Sequence, residues 1–207
     1  MWRMRSLSAS GIALAVSMAA APLNAGADEV TSPVKAVWQV QEIYLSYFGL
    51  TTYYSCDGLR DKVRTMITQL GAAEGSVVNA AGCTELSGPE RLPGARIIIA
   101  TPHAATPEMI EANAKDAKRS ELLAKLQRKG KPALETGEFD AVRKVVSLNS
   151  KDPTGAGGAG DCELVEHIRD QVVKKMDARV VKDDLHCTPH QGTIGNRKLQ
   201  VEVLAKS

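Results

Sequence analysis

Two pairs of cysteines at nearly equal spacing constrain this chain more than any other feature. Cys56 and Cys83 lie 27 positions apart, Cys162 and Cys187 lie 25 apart, and no other cysteine is present. Ser55-Cys56 and Asp161-Cys162 each open a helical pattern, and Cys83-Thr84 and Cys187-Thr188 each close the segment that follows it. A shift of 106 positions superposes Cys56 on Cys162, Leu59 on Val165, Met66 on Val172, Ile67 on Val173 and Leu70 on Met176. These positions keep the 3-and-4 spacing of one apolar helical face in both copies.

Chain geometry gives the cysteine placement a reason. In a βαβ unit the helix starts at the carboxyl edge of the first strand, and the next strand runs back toward that edge by a right-handed crossover. A cysteine in the first helical turn and one closing the returning strand then come within bridging distance. Of three possible pairings, this favours Cys56–Cys83 and Cys162–Cys187. Each closed loop contributes roughly 3–4 kcal/mol in the chain-entropy model. No close cysteine pair of the CxxC kind occurs, which opposes a thioredoxin-like redox motif.

The amino terminus carries the three parts of a secretory signal in order: Arg3 and Arg5, the apolar run Gly11 to Ala21, and Ala25-Gly26-Ala27 before Asp28. Residues 1–27 are therefore expected to be a signal peptide cleaved near Ala27, leaving a periplasmic or secreted protein whose cysteines oxidise. Nothing downstream reaches transmembrane length. Of the 26 Lys and Arg, two lie in the signal, so the remaining chain carries 24 basic against 24 acidic residues. That balance removes any global argument for nucleic acid or an anionic membrane as partner.

Elements follow in the order expected of two such units. Val37 to Leu50 reads as a strand, and six of the seven aromatics after residue 27 fall between Trp38 and Tyr54. Core packing is the favoured reading of this cluster, over an aromatic ligand platform. Ser55 caps a helix that Gly71 ends, and strands follow at Val77 to Cys83 and Arg96 to Ala100. Thr106-Pro107 starts a helix running to Lys129 with a thin apolar face, expected to be a solvated connector. The second unit has a strand at Phe139 to Leu148, a helix from Cys162 to about Met176 capped by Asp161, and strands at Arg179 to Cys187 and Lys198 to Leu204.

Candidate chemistry is sparse. Gly155, Gly157 and Gly160 spell GxGxxG, but Pro153 lengthens the approach and Asp161 would put a carboxylate where a pyrophosphate should sit. His186 and His190 flank Cys187 in His-Cys-Thr-Pro-His and could hold part of a zinc or copper site, without an evident third ligand. His103 is expected on the opposite edge, and His167 on the polar side of its helix. Asp57, Asp61 and Glu163 sit where carboxylates meet a helix dipole. No GxSxG, HExxH or spaced triad occurs.

The Tyr-Ser-Cys-Asp-Gly-Leu-Arg stretch, with Gly-Asp-Cys-Glu-Leu-Val-Glu and Cys-Thr-Pro-His, resembles exported bacterial proteins with no assigned activity, over residues 38–205. The resemblance implies export and no site. The expected fold is α+β: a duplicated βαββ repeat of ferredoxin-like character, with one disulfide per repeat. Its parts are residues 34–104, a helical connector at 105–133, and residues 134–207. The expected function is non-catalytic binding of a protein or small-molecule partner, or a structural role, with no cofactor. The alternative is a periplasmic metal-binding protein or metalloenzyme using His186 and His190.

Overall fold

Alternation along the first strand explains the layering. In the computed structural model, β1 (Val34–Ser46) turns Ile43 and Leu45 to one face of a sheet and Ala36, Trp38 and Val40 to the other. The structure describes residues 32–83, 90, 92–127, 134, 137–149, 161–188, 190 and 198–207. The expected signal peptide and Gly155, Gly157 and Gly160 lie outside the described residues. The described residues belong to one compact unit.

The other elements are α1 (Cys56–Gln69), β2 (Val77–Ala81), β3 (Gly94–Ala104), α2 (Pro107–Lys115), α3 (Ala117–Gln127), β4 (Phe139–Asn149), α4 (Cys162–Gln171), a 3₁₀ turn (Val173–Lys175), β5 (Ala178–Asp183) and β6 (Lys198–Lys206). The six strands make one sheet in the order β2-β3-β1-β4-β6-β5, with every neighbouring pair antiparallel. β1 and β2 therefore run the same way with β3 between them, as β4 and β5 do around β6. The central β1–β4 ladder is short: only Val34 to Ala36 pair with Ala141 to Phe139.

Both expected disulfides are present, with Cα–Cα distances of 6.2 Å for Cys56–Cys83 and 5.6 Å for Cys162–Cys187. The five superposed helix positions of each unit are all buried. Leu59, Met66, Ile67 and Leu70 of the first helical segment meet Leu164, Val165, Ile168, Val172 and Val173 of the second over one face of the sheet. Each buried aliphatic side chain contributes about 1.5–3 kcal/mol. The Ser55 hydroxyl accepts from the Gly58 N–H at 3.1 Å, as a cap should. Gly71, at φ +87°, ends α1, and a Cβ there would lie 3.1 Å from the Leu204 carbonyl oxygen.

Four expectations are corrected. The connector is two helices, broken at Asp116, whose ψ of 100° leaves the helical region. It is not wholly solvated: α2 buries nothing, but α3 lays Leu122 and Leu126 on the second face of the sheet, over Trp38, Val40, Ile98, Ala100 and Phe139. Asp161 stands at the start of α4 but makes no capping bond, because its carboxylate is engaged elsewhere. β1 stops at Ser46, four residues short of Leu50, and the chain beyond it follows a helix instead of a strand.

Candidate functional site

Among the described residues, no strand lies beside the edge of β1 away from β3 past residue 40; α4 lies there instead. The Gln41 side-chain Nε2 donates to the Lys175 carbonyl at 2.7 Å. The Gln171 carboxamide accepts from the Ser46 N–H at 3.0 Å and donates to the Ser46 carbonyl at 2.9 Å, as a neighbouring strand would. The His167 Nε2 accepts from the Phe48 N–H at 3.3 Å. Glu163 Oε2 accepts from the N–H groups of Leu50 and Thr51 at 2.9 and 3.0 Å, and Oε1 from the Thr51 hydroxyl at 3.1 Å.

The spacing explains why this ladder works. Residues 163, 167 and 171 of α4 recur every four positions, a rise of about 6 Å on a helix. Two extended residues advance about 6.7 Å. Every second N–H of residues 46–50 therefore meets the next helical turn. On the opposite side the Tyr47 N–H donates to the Pro93 carbonyl at 3.1 Å, continuing the β3 side. His167 Nδ1 lies 2.7 Å from the Glu163 carbonyl oxygen, so the two bonds together require a neutral ring protonated at Nδ1.

Under the segment lies a buried polar network. The Tyr54 hydroxyl and the Lys62 ammonium both donate to the Asp161 carboxylate, which is 2% exposed. The Tyr47 hydroxyl donates to the Thr52 carbonyl at 2.7 Å, and the Tyr47 and Tyr54 rings meet edge to face at 5.0 Å. A Cβ on Gly49 would strike the Tyr47 hydroxyl, so a side chain there would displace the buried Tyr47 ring. Burial, then the nearby carboxylates of Asp161 and Glu163, push both phenols well above the ordinary tyrosine range. They act as fixed neutral donors, which suits holding a loop.

The segment presents the other set of side chains outward. Tyr44, Phe48, Leu50, Tyr53 and Leu92 are half or more exposed. They line two adjoining grooves of about 220 and 360 Å³ that share Phe48 and Leu92. No charged side chain of the described residues lines either groove. The expectation that the aromatic cluster is core is therefore half corrected. Trp38, Tyr47 and Tyr54 are buried, whereas Tyr44 and Phe48 share the strand parity of Trp38 and Val40 but lie beyond the cover of α3. Exposed apolar side chains gathered in a concave patch mark interaction sites more often than isolated ones.

The other candidates do not join this site, except in part. The Cys56–Cys83 bridge fixes the start of α1 directly after it. His186 and His190 are exposed after β5, with His190 at φ 62°. Among the described residues no group of three or more His, Cys, Asp or Glu is placed to hold a metal ion. His103 lies within β3, its pKa lowered by burial. His167 and Glu163, expected as a surface histidine and a dipole-complementing acid, are the backbone acceptors of the ladder. Their four-residue spacing was visible in the sequence; that it faced an extended chain was not. Among the described residues no helix is long and apolar enough to cross a membrane. Compared with family models, curated proteins and solved structures, the chain finds no match.

Proposed function

We propose that this chain is an exported, non-catalytic binding protein that takes an uncharged apolar ligand or partner segment on the surface of Tyr44, Phe48, Leu50, Tyr53 and Leu92. The observation that carries the reading is the ladder from Glu163 to Gln171. It spends an entire helix face on holding an extended segment whose apolar side chains point to solvent. Such preorganisation lowers the ordering cost of binding. Export rests on the expected signal peptide at residues 1–27, and the two disulfides suit an oxidising compartment. We read the two βαββ halves as copies of one unit, supported by their equal strand order and equivalent cysteines.

The test is titration of the ¹⁵N-labelled protein with indole and p-cresol as uncharged probes, followed by amide shifts. Saturable shifts are expected at residues 48–53, weakened about tenfold in a Phe48→Ser/Tyr53→Ser variant. Both side chains are exposed, so each substitution should change stability by no more than about 0.5 kcal/mol. Shifts confined to other regions, or unchanged in the variant, would refute the reading. A zinc titration run alongside addresses the metal alternative: stoichiometric shifts at His186 and His190 would favour it instead.

A further inference from the structure

The aromatic surface is divided in a way that selects among partners. Its two grooves share Phe48 and Leu92, so these side chains stand as a ridge between them. Tyr44 lines only the first groove, and Leu50 and Tyr53 line only the second. Along the chain, the midpoint of Tyr44 and Phe48 is residue 46, and that of Phe48 and Leu50 is residue 49. Three extended residues span about 10 Å. A ligand that fills both grooves must bridge this interval without striking the ridge.

Backbone pairing does not supply the recognition. The Ser46, Phe48 and Leu50 N–H groups are taken by side chains of α4, and the Tyr47 N–H by the Pro93 carbonyl. An added strand finds no free edge here, and its side chains, about 6.7 Å apart on one face, miss the interval. A helix repeats at about 10 Å after seven residues, but its residues three and four along share that face and would meet the ridge. A polyproline II helix has three residues per turn and rises about 3.1 Å per residue, so every third side chain returns after about 9 Å. The two residues between them turn away from the ridge. No charged side chain of the described residues lines either groove. Such a surface favours a peptide with few N–H groups to strip of water, and proline has none.

We infer that this surface docks a proline-rich segment of another protein, held as a polyproline II helix with apolar side chains three residues apart in the two grooves. The inference rests on the reading of the surface as a binding site. No segment of this chain can serve as the ligand, since no two of its nine prolines are closer than four positions.

The experiment titrates the ¹⁵N-labelled full chain with three acetylated and amidated peptides, and with indole. The first, Leu-Pro-Pro-Leu-Pro-Pro-Leu, places leucines three apart on a polyproline II helix. The second replaces its prolines by alanine, and the third, Leu-Pro-Leu-Pro-Leu-Pro-Leu, spaces the leucines two apart. Saturable shifts from the first are expected at both grooves, at residues 44–53, 81, 82, 92, 94 and 95. The alanine peptide should bind about tenfold more weakly, because it must be ordered on binding. The third should bind at least about fivefold more weakly, because its leucines miss the second groove. Phe48→Ser removes the shared ridge and should weaken the first peptide at least about tenfold. The urea midpoint should be retained, since Phe48 is 57% exposed.

Equal or tighter binding of the alanine peptide, or equal binding at the two leucine spacings, would overturn the inference. Shifts confined to one groove, affinity unchanged in Phe48→Ser, or no saturable binding of the first peptide would do the same. If indole still shifts residues 48–53 in that last case, the apolar surface stands and only the proline-rich partner falls. If neither ligand shifts these residues, the binding reading falls with it.

Discussion

Glu163 is the residue on which the exposed segment most depends, and its removal gives a graded, local prediction. Its carboxylate accepts three hydrogen bonds from Leu50 and Thr51 and is 7% exposed. Bonds to a charged acceptor contribute about 1.5–3 kcal/mol each, so the three together reach roughly 5 kcal/mol. Leu50 is 50% exposed, so water can replace part of this once the segment lifts, and the net falls to about 2–3 kcal/mol. Glu163→Ala should therefore raise the local opening constant of residues 46–52 about 30- to 150-fold. Glu163→Gln keeps the shape and one acceptor oxygen. Its effect should be about 1 kcal/mol, near fivefold. Native-state hydrogen exchange at the Leu50 and Thr51 amides measures both, with Ile97 and Ile99 of β3 as references. Unchanged exchange at Leu50 and Thr51 in Glu163→Ala would refute the ladder. An equal acceleration at Ile97 and Ile99 would show that Glu163 supports the whole fold and not the segment.

Three other perturbations probe the rest of the molecule. Replacing Cys162 and Cys187 by serine opens a loop of 25 positions and should cost about 3.5 kcal/mol, read from the midpoint of urea unfolding; an unchanged midpoint would contradict it. Leu126→Ala, on the α3 face that covers Trp38, should cost about 2–4 kcal/mol, whereas Ile110→Ala on α2 should stay within about 0.5 kcal/mol; equal costs would restore the solvated connector. Burial and the neighbouring carboxylates raise the Tyr47 and Tyr54 phenols above the ordinary value of 10.0, so their stabilisation is whole below that pH and is lost as pH rises beyond it. Alkaline unfolding should therefore begin above about pH 10, with phenolate absorbance from these two rings rising together with the loss of near-UV circular dichroism; full ionisation before unfolding would exclude the buried network.

Much of the fold was legible because its determinants are local. The cap at Ser55, the stop at Gly71 and the proline start at Pro107 each act within one turn of chain, and each stands where expected. The cysteine pairing was also legible, since loop length and strand direction leave little choice of partner. The candidate site was not. Strand parity says that Trp38, Tyr44 and Phe48 share a face, but only Trp38 is covered, because α3 reaches no further along β1. Likewise nothing near Asp161 or Glu163 in the chain announces that their carboxylates leave the helix end for Tyr54, Leu50 and Thr51, more than 100 residues away. Where helices start, which of their faces are apolar and which cysteines join follow from forces acting over one turn or one loop, and the chain shows them directly. Which apolar side chains stay in water depends on where a distant helix ends, and no local pattern along the chain records that.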